Sequence, residues 1–295
     1  MRTKYWVAGA TVLILALSGC GQAGTPGDSG SEESRPSYEV KEDVDVSGSP
    51  TWKSADANGS ITIGVYHDQP GIGNLTAGAN EPEGFDIEIA RIVADHLGFA
   101  SEDIEWVEIV TANRDTFLQQ GNVDLIVAGY TINDERKKIV DFAGPYYETG
   151  QDLLIGSDSD ISGPDDLDGR KVCATVGGVP GQRIKEDHPE AELITYDTVS
   201  KCVTDLQSGA VDAVTTDDAI LRGYAAQSPD DLSVVGKPFS KDQYGIGLPQ
   251  DDDDLRAVVN DAIEESVSNG DWTKAFEYTL GDSEGVKRPQ VDRYE

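Results

Sequence analysis

From residue 61 onward the chain alternates short apolar runs with longer segments whose apolar positions recur at helical spacing. Ile61-Thr62-Ile63-Gly64-Val65-Tyr66 alternates as a half-buried strand does. A polar loop with Gly and Pro (67–83) follows. Gly84-Phe85-Asp86 then opens a helix whose Ile87, Ala90, Val93, Ala94 and Leu97 lie on one face. Residues 104–109 read as a strand, 114–120 as a helix, and the β-rich, mostly apolar Val123-Asp124-Leu125-Ile126-Val127 as a buried parallel strand. That strand breaks at Gly129. The short oxygens of Thr131, Asn133 and Asp134 predict the start of a new helix with Arg136 one turn inside it. A strand end and a helix start would converge there on a hydroxyl, free N–H groups and a guanidinium, an arrangement suited to a carboxylate. A surface Arg paired to Glu135 or Asp134 is the plainer alternative.

Around 145–155 the rhythm changes to an extended segment that leaves the first sheet. The alternation then restarts: strand 171–176, helix 182–187, strand 192–196, helix 199–207, strand 211–215, helix 217–226 and a short strand 232–235. Residues 244–248 read as a return crossing, followed by helices over 251–268 and 272–280. Ser208-Gly209-Ala210-Val211-Asp212-Ala213-Val214 echoes Gln120-Gly121-Asn122-Val123-Asp124-Leu125-Ile126, and each run leads into polar residues. Alternating strands and helices predict an α/β chain of two lobes, 59–148 with 245–285 and 149–244, joined by two crossings over a cleft. Such a cleft suits hinge closure on a small ligand.

Charge narrows the partner. Among 295 residues, 55 acids against 23 bases give a net −32, which excludes nucleic acid because phosphate binding needs a basic face. A small anionic ligand stays open, since a local Arg cluster can dominate a narrow cleft. No metal or cofactor is expected: the three His, at 67, 96 and 188, are scattered, and residues 251–254 lack the spacing of a calcium loop.

The N-terminus carries an address. Met1-Arg2-Thr3-Lys4 and an apolar core over 7–17 fit a signal peptide (1–19), too short for a stable span. Leu17-Ser18-Gly19-Cys20 resembles a bacterial lipobox, which implies lipidation at Cys20 and tethering at the extracellular face of the cytoplasmic membrane. Residues 20–58, rich in Gly, Ser, Pro and Glu, predict a flexible tether. Cys173 and Cys202 are then an even pair in an oxidising compartment, either bridged across about 30 residues or left as two buried thiols.

Several stretches in order match one family. They are Asp68-Gln69-Pro70-Gly71, Gly84-Phe85-Asp86-Ile87-Glu88-Ile89-Ala90, Asn113-Arg114, Thr131-Ile132-Asn133-Asp134-Glu135-Arg136, Asp141-Phe142-Ala143-Gly144-Pro145-Tyr146-Tyr147 and Val211-Asp212-Ala213-Val214-Thr215-Thr216-Asp217. Together they make the chain from 61 to about 280 resemble the bacterial extracellular solute-binding proteins of family 3, with the nearest likeness to actinobacterial glutamate-binding lipoproteins. The resemblance implies a type II periplasmic-binding-protein-like fold and a monomeric receptor that delivers a polar amino acid to the permease of an ABC importer. It implies Arg136 on the α-carboxylate, Thr131 and the Gly129 backbone beside it, and Asp217 on the α-ammonium. It also places Arg114 on a side-chain carboxylate, with Thr111 on the approach.

Two departures keep the ligand open. Gly177-Gly178-Val179-Pro180-Gly181 stands where such receptors carry hydroxyls, so only backbone groups such as the Val179 N–H serve there. Tyr66, in place of a basic residue, suits a carboxylate or an amide. Glutamate is the first expectation, with glutamine, asparagine or aspartate as alternatives, and a sensory lipoprotein as another role. No nucleophile–base motif supports an enzyme.

Overall fold

The structure, a computed structural model, describes residues 35–294. The expected signal peptide and the expected lipidation site at Cys20 lie outside the described residues. Part of the flexible tether expected over 20–58 is ordered. Residues 50–58 form helix α1 (Pro50–Asn58), with the Ser49 hydroxyl accepting from the Trp52 N–H, Pro50 in the first turn and Gly59 closing it at φ 71°. Ser49 Oγ donates to Asp252 at 2.8 Å, and Tyr38 and Arg35 both reach the buried Glu88. The cap, the first-turn Pro and the terminal Gly outweigh the polar composition.

Two five-stranded sheets form the body. The first runs β4 (Ile104–Glu108), β1 (Ile61–Val65), β5 (Leu125–Ile126), β12 (Asp242–Leu248), β6 (Asp141–Thr149). The second runs β11 (Leu232–Val234), β7 (Gln151–Gly156), β10 (Ala213–Asp217), β8 (Lys171–Thr175), β9 (Glu192–Tyr196). Only the β4–β1–β5 and β10–β8–β9 pairings are parallel. The crossing strands β12, β6 and β7 pair antiparallel, so both sheets are mixed rather than purely parallel. After β6, Gly150 alone separates the first sheet from β7 of the second, and the return crossing lies between β11 and β12.

The first lobe carries α2 (Phe85–His96), α3 (Arg114–Gln119), α7 (Asp253–Asn269) and α8 (Asp271–Leu280). The second carries α4 (Val179–Asp187), α5 (Val199–Gln207) and α6 (Asp218–Gln227). Phe85 anchors the first core, with ring centroids 5.6 Å from Trp272, 5.6 Å from Phe276 and 5.5 Å from Tyr147. In the second lobe Cys173 of β8 and Cys202 of α5 form a disulfide.

The outer edge of β6 is covered by the C-terminal third of the chain. Gly144 N–H donates to Asn260, Trp272 Nε1 donates to the Tyr146 carbonyl, Asp292 N–H donates to the Gly144 carbonyl, and Phe142 N–H donates to the Tyr294 hydroxyl. Tyr294 itself is wedged between Lys137 and Arg256.

Candidate functional site

The site begins where apolar strands end. β5 buries Leu125 and Ile126, and the chain past it stays buried through Tyr130. No α-helix follows: Arg136 starts a single 3-10 turn (Arg136–Lys138), a correction to the helix expected there. Val140 must bury and Asp141 already opens β6, which leaves no length for a helix. Asn133 Oδ1 takes the Arg136 N–H at 2.9 Å, so the guanidinium rather than a row of free N–H groups is what this turn presents.

Gly129 needs its glycine. It sits at φ 46°, and a Cβ there would stand 3.4 Å from the Tyr244 ring. Its N–H donates to Asp86 Oδ2 at 2.7 Å, and Tyr146 OH donates to Asp86 Oδ1 at 2.7 Å. Burial pushes Asp86 up to about 7 despite these two bonds.

Arg114 and Arg136 are 3 % and 8 % exposed. Arg114 donates from Nη1 to the carbonyls of Ala128 and Gly129 (3.0 and 3.2 Å) and from Nε to that of Thr111 (3.2 Å). Arg136 donates from Nη1 to the Thr131 carbonyl (2.7 Å) and, across the lobes, from Nη2 to the Gly177 carbonyl (3.4 Å). Both guanidiniums lie over the Tyr130 ring, at 4.3 and 5.0 Å from its centroid. Among the described residues neither forms a salt bridge. Burial, then the neighbouring Arg114 charge, pulls Arg136 down to about 10. Two adjoining cations without a carboxylate, in a protein of net charge −32, make a place that favours anions.

The other lobe supplies the opposite charge. Asp217 ends β10 at the cap position of α6, yet its side chain does not cap that helix. Oδ2 accepts from Tyr244 OH at 2.7 Å, and Oδ1 is buried without a partner. Burial pushes Asp217 up to about 7, and Asp242 and Asp218 add to the rise. A buried carboxylate oxygen with no donor calls for a cationic one. The start of α4, with no side-chain cap on Gly178, brings helix-terminal N–H groups to the same space.

One cavity gathers Tyr66, Thr111, Arg114, Gly129, Thr131, Val179 and Asp217. Arg136, the eighth residue the sequence singled out, adjoins it through the Thr131 carbonyl. Tyr66 OH and Thr111 Oγ1 share a hydrogen bond of 2.8 Å, and burial pushes the Tyr66 phenol up. Gln69, Thr175, Thr216, Val199 and Ile220 also line the cavity and were not foreseen as site residues. Gln69 is 2 % exposed with Oε1 unpartnered. Its place in the Asp68-Gln69-Pro70-Gly71 run was the signal that could have found it. A roomier hollow between residues 38–42 and α2 and α7 is lined by Glu39, Glu42, Asp95, Glu265 and Asp271 together with Lys41 and His96, and Lys41 is paired with Glu265.

A family profile for bacterial extracellular solute-binding proteins, family 3, matches residues 61–282. The glutamate-binding protein GluB of Corynebacterium glutamicum is 40% identical over 253 residues, covering 82% of this chain and 85% of that protein. The ABC transporter glutamine-binding protein GlnH of Bacillus subtilis is 32% identical over 264 residues, covering 89% of this chain and 91% of that protein. Among solved structures, an ancestral arginine-binding protein bound to glutamine superposes with a TM-score of 0.71 at 32% identity, over 76% of this chain and 99% of that one.

Proposed function

This chain belongs to the bacterial extracellular solute-binding proteins, family 3, and from that premise we propose that it captures L-glutamate between its lobes and delivers it to the membrane permease of an ABC importer. The observation that carries the reading is the charge pattern of the cavity: two buried guanidiniums without carboxylates on one wall, and a buried carboxylate oxygen without a donor on the other. An α-amino acid supplies both missing partners. In this reading Arg136 grips the α-carboxylate, Thr131 and the Gly129 backbone flank it, and Asp217 holds the α-ammonium.

Arg114, beside Thr111 and Tyr66 and carrying an Nη2 free of hydrogen bonds among the described residues, takes the side-chain carboxylate. That second cation favours glutamate over glutamine, because an amide would leave its charge uncompensated. The name and identity of the corynebacterial relative support the same choice. Selection by Arg114 and capture by Arg136 and Asp217 are binding steps only, and no group is assigned a catalytic role.

Cys20 is proposed as a lipidated first residue that keeps the receptor beside its permease. Cys20→Ser should release the protein into the medium, and a membrane-bound Cys20→Ser protein would refute the anchor. Calorimetry on the chain from Gly21 onward, against the twenty amino acids, tests the ligand. Heat with glutamate and weaker or no heat with glutamine is expected. A preference for glutamine would remove the role given to Arg114, and silence with every polar amino acid would remove the function.

A further inference from the structure

Between β1 and α2 a small hairpin, β2 (Asp68–Gln69) and β3 (Gly73–Asn74), belongs to neither large sheet. It is fastened to the first lobe at both ends: at its base Leu75 N–H donates to the His67 carbonyl, and at its turn Phe85 N–H donates to Gly71 and Asp86 N–H to Ile72, all at 2.9 Å. Its first strand and turn meet the second lobe at three points. Ser200 N–H, in the first turn of α5, donates to Asp68 Oδ2 at 3.1 Å. Tyr224 OH donates to the Asp68 carbonyl. Gly223 of α6 lies so close under Pro70 that a Cβ there would stand 2.0 Å from the Pro70 carbonyl oxygen.

The α5 contact has an unusual supplier. Thr198 stands at the cap position, yet its side chain makes no capping bond and instead accepts from the Ser200 hydroxyl at 3.1 Å. The first-turn N–H that a cap would satisfy is given to a carboxylate of the opposite lobe. The receiving helix is held firmly, because Cys202, two residues on, is bonded to Cys173 in β8. β8 ends at Thr175, on the wall of the ligand cavity, and Gln69, next to Asp68, lines that cavity from the other side.

We propose that Asp68 is the clasp of the closed form: a positioning residue that caps α5 across the cleft and so sets how long a bound ligand stays. The energetics favour this role. A charge-assisted bond to a helix N-terminus exists only while the lobes meet, and opening returns both the carboxylate and the α5 N–H groups to water. The Tyr224 bond and the Pro70–Gly223 approach set the register, since they demand that the hairpin tip seat squarely on α6. The clasp lies outside the ligand's own contacts, so it should act on release and leave capture alone.

The proposal rests on the reading that a ligand is held between the lobes, and its test separates the two. Paired spin labels, one on each lobe, report the inter-lobe distance with and without L-glutamate, and stopped-flow fluorescence reports its release. Asp68→Ala should lengthen and broaden the distance distribution and speed release about tenfold, with association unchanged. Asp68→Asn, which keeps an acceptor without the charge, should fall between. Gly223→Ala adds a methyl that the Pro70 carbonyl must meet, so it should hold the lobes apart, while α6 itself melts no earlier because Ala is the better helix former. A wild-type protein that does not close on L-glutamate overturns the ligand reading instead, whereas an Asp68→Ala protein that closes on L-glutamate with the wild-type distance distribution overturns the clasp. So does a Gly223→Ala protein that closes normally, or an Asp68→Ala release rate equal to wild type.

Discussion

Asp217 makes ligand capture sensitive to protons near neutrality. Its carboxyl is pushed from an ordinary 3.8 up to about 7, chiefly by burial, with Asp242 and Asp218 raising it further and Tyr244 and Arg183 opposing. At about 1.4 kcal/mol per pH unit, ionising it in place costs about 4 kcal/mol more than in water. An α-ammonium offsets that penalty, so the ligand selects the ionised form and binding below pH 7 must expel a proton. Affinity should therefore fall about tenfold per pH unit between about pH 7 and 5 and level off above about 8. The side-chain carboxyl of glutamate, near 4.3, stays ionised across this window.

Stability moves the opposite way. A carboxyl raised in the folded protein contributes stability that is fully present below its ordinary value and is lost as pH rises through about 7. Asp217→Asn should then stabilise the unliganded protein at pH 8, with about 4 kcal/mol as the ceiling. It should also weaken glutamate by roughly 3 kcal/mol, because the ammonium is left buried without its anion. Asp86, also pushed to about 7, bonds only Gly129 and Tyr146, so Asp86→Asn should leave the affinity slope in place. Calorimetry at several pH values, in two buffers of different ionisation enthalpy, counts the protons. Equal affinity at pH 5.5 and 7.5, or proton uptake on binding, would refute the assignment of the ammonium to Asp217.

Other outcomes follow from the same geometry. Arg136→Ala should abolish binding of every amino acid, read by calorimetry, whereas Arg114→Met should cost dicarboxylic ligands about 100-fold and amides far less. Equal losses for glutamate and glutamine would count against the side-chain role of Arg114. Removing the disulfide with Cys202→Ala should lower unfolding free energy by about 3 kcal/mol, given a sequence separation of 29 residues, measured by denaturant titration. Phe85→Ala, emptying the junction of Trp272, Phe276 and Tyr147, should cost about 3–5 kcal/mol by the same titration.

Much of the fold could be read from the chain because apolar period and turn chemistry agree in most segments. The strands at 61, 104, 171 and 192 and the helices that follow them announce themselves locally. Arg136 could be singled out from a strand broken at Gly129 and followed by short polar residues, whereas Arg114 and Asp217 stood out only through the resemblance of their surrounding runs to one family. What could not be read depends on distant partners. The helix expected after Thr131 failed because the packing of Val140 and the pairing of Asp141 in β6 decided that segment. The Tyr130 platform under both guanidiniums and the Tyr244 hydroxyl on Asp217 arise only once β12 lies beside β5 and β6. The helix at Pro50 was legible in principle, through Ser49, Pro50 and Gly59, and was hidden by the polar composition around it.

The covered edge of β6 bears on how this protein behaves in company. β6 is nine residues long, and on its open side Phe142, Gly144 and Tyr146 direct main-chain groups that Tyr294, Asp292, Asn260 and Trp272 satisfy. Two of those four partners come from the last residues of the chain. Proteolytic trimming behind α8 would free the Phe142 N–H and the Gly144 carbonyl for a neighbouring chain, while Asn260 and Trp272 would still hold their own positions on the edge. Self-association should then increase, although the ligand cavity would keep every wall it has. The C-terminal residues thus work as a guard against neighbours, a role separate from anything they do for the ligand.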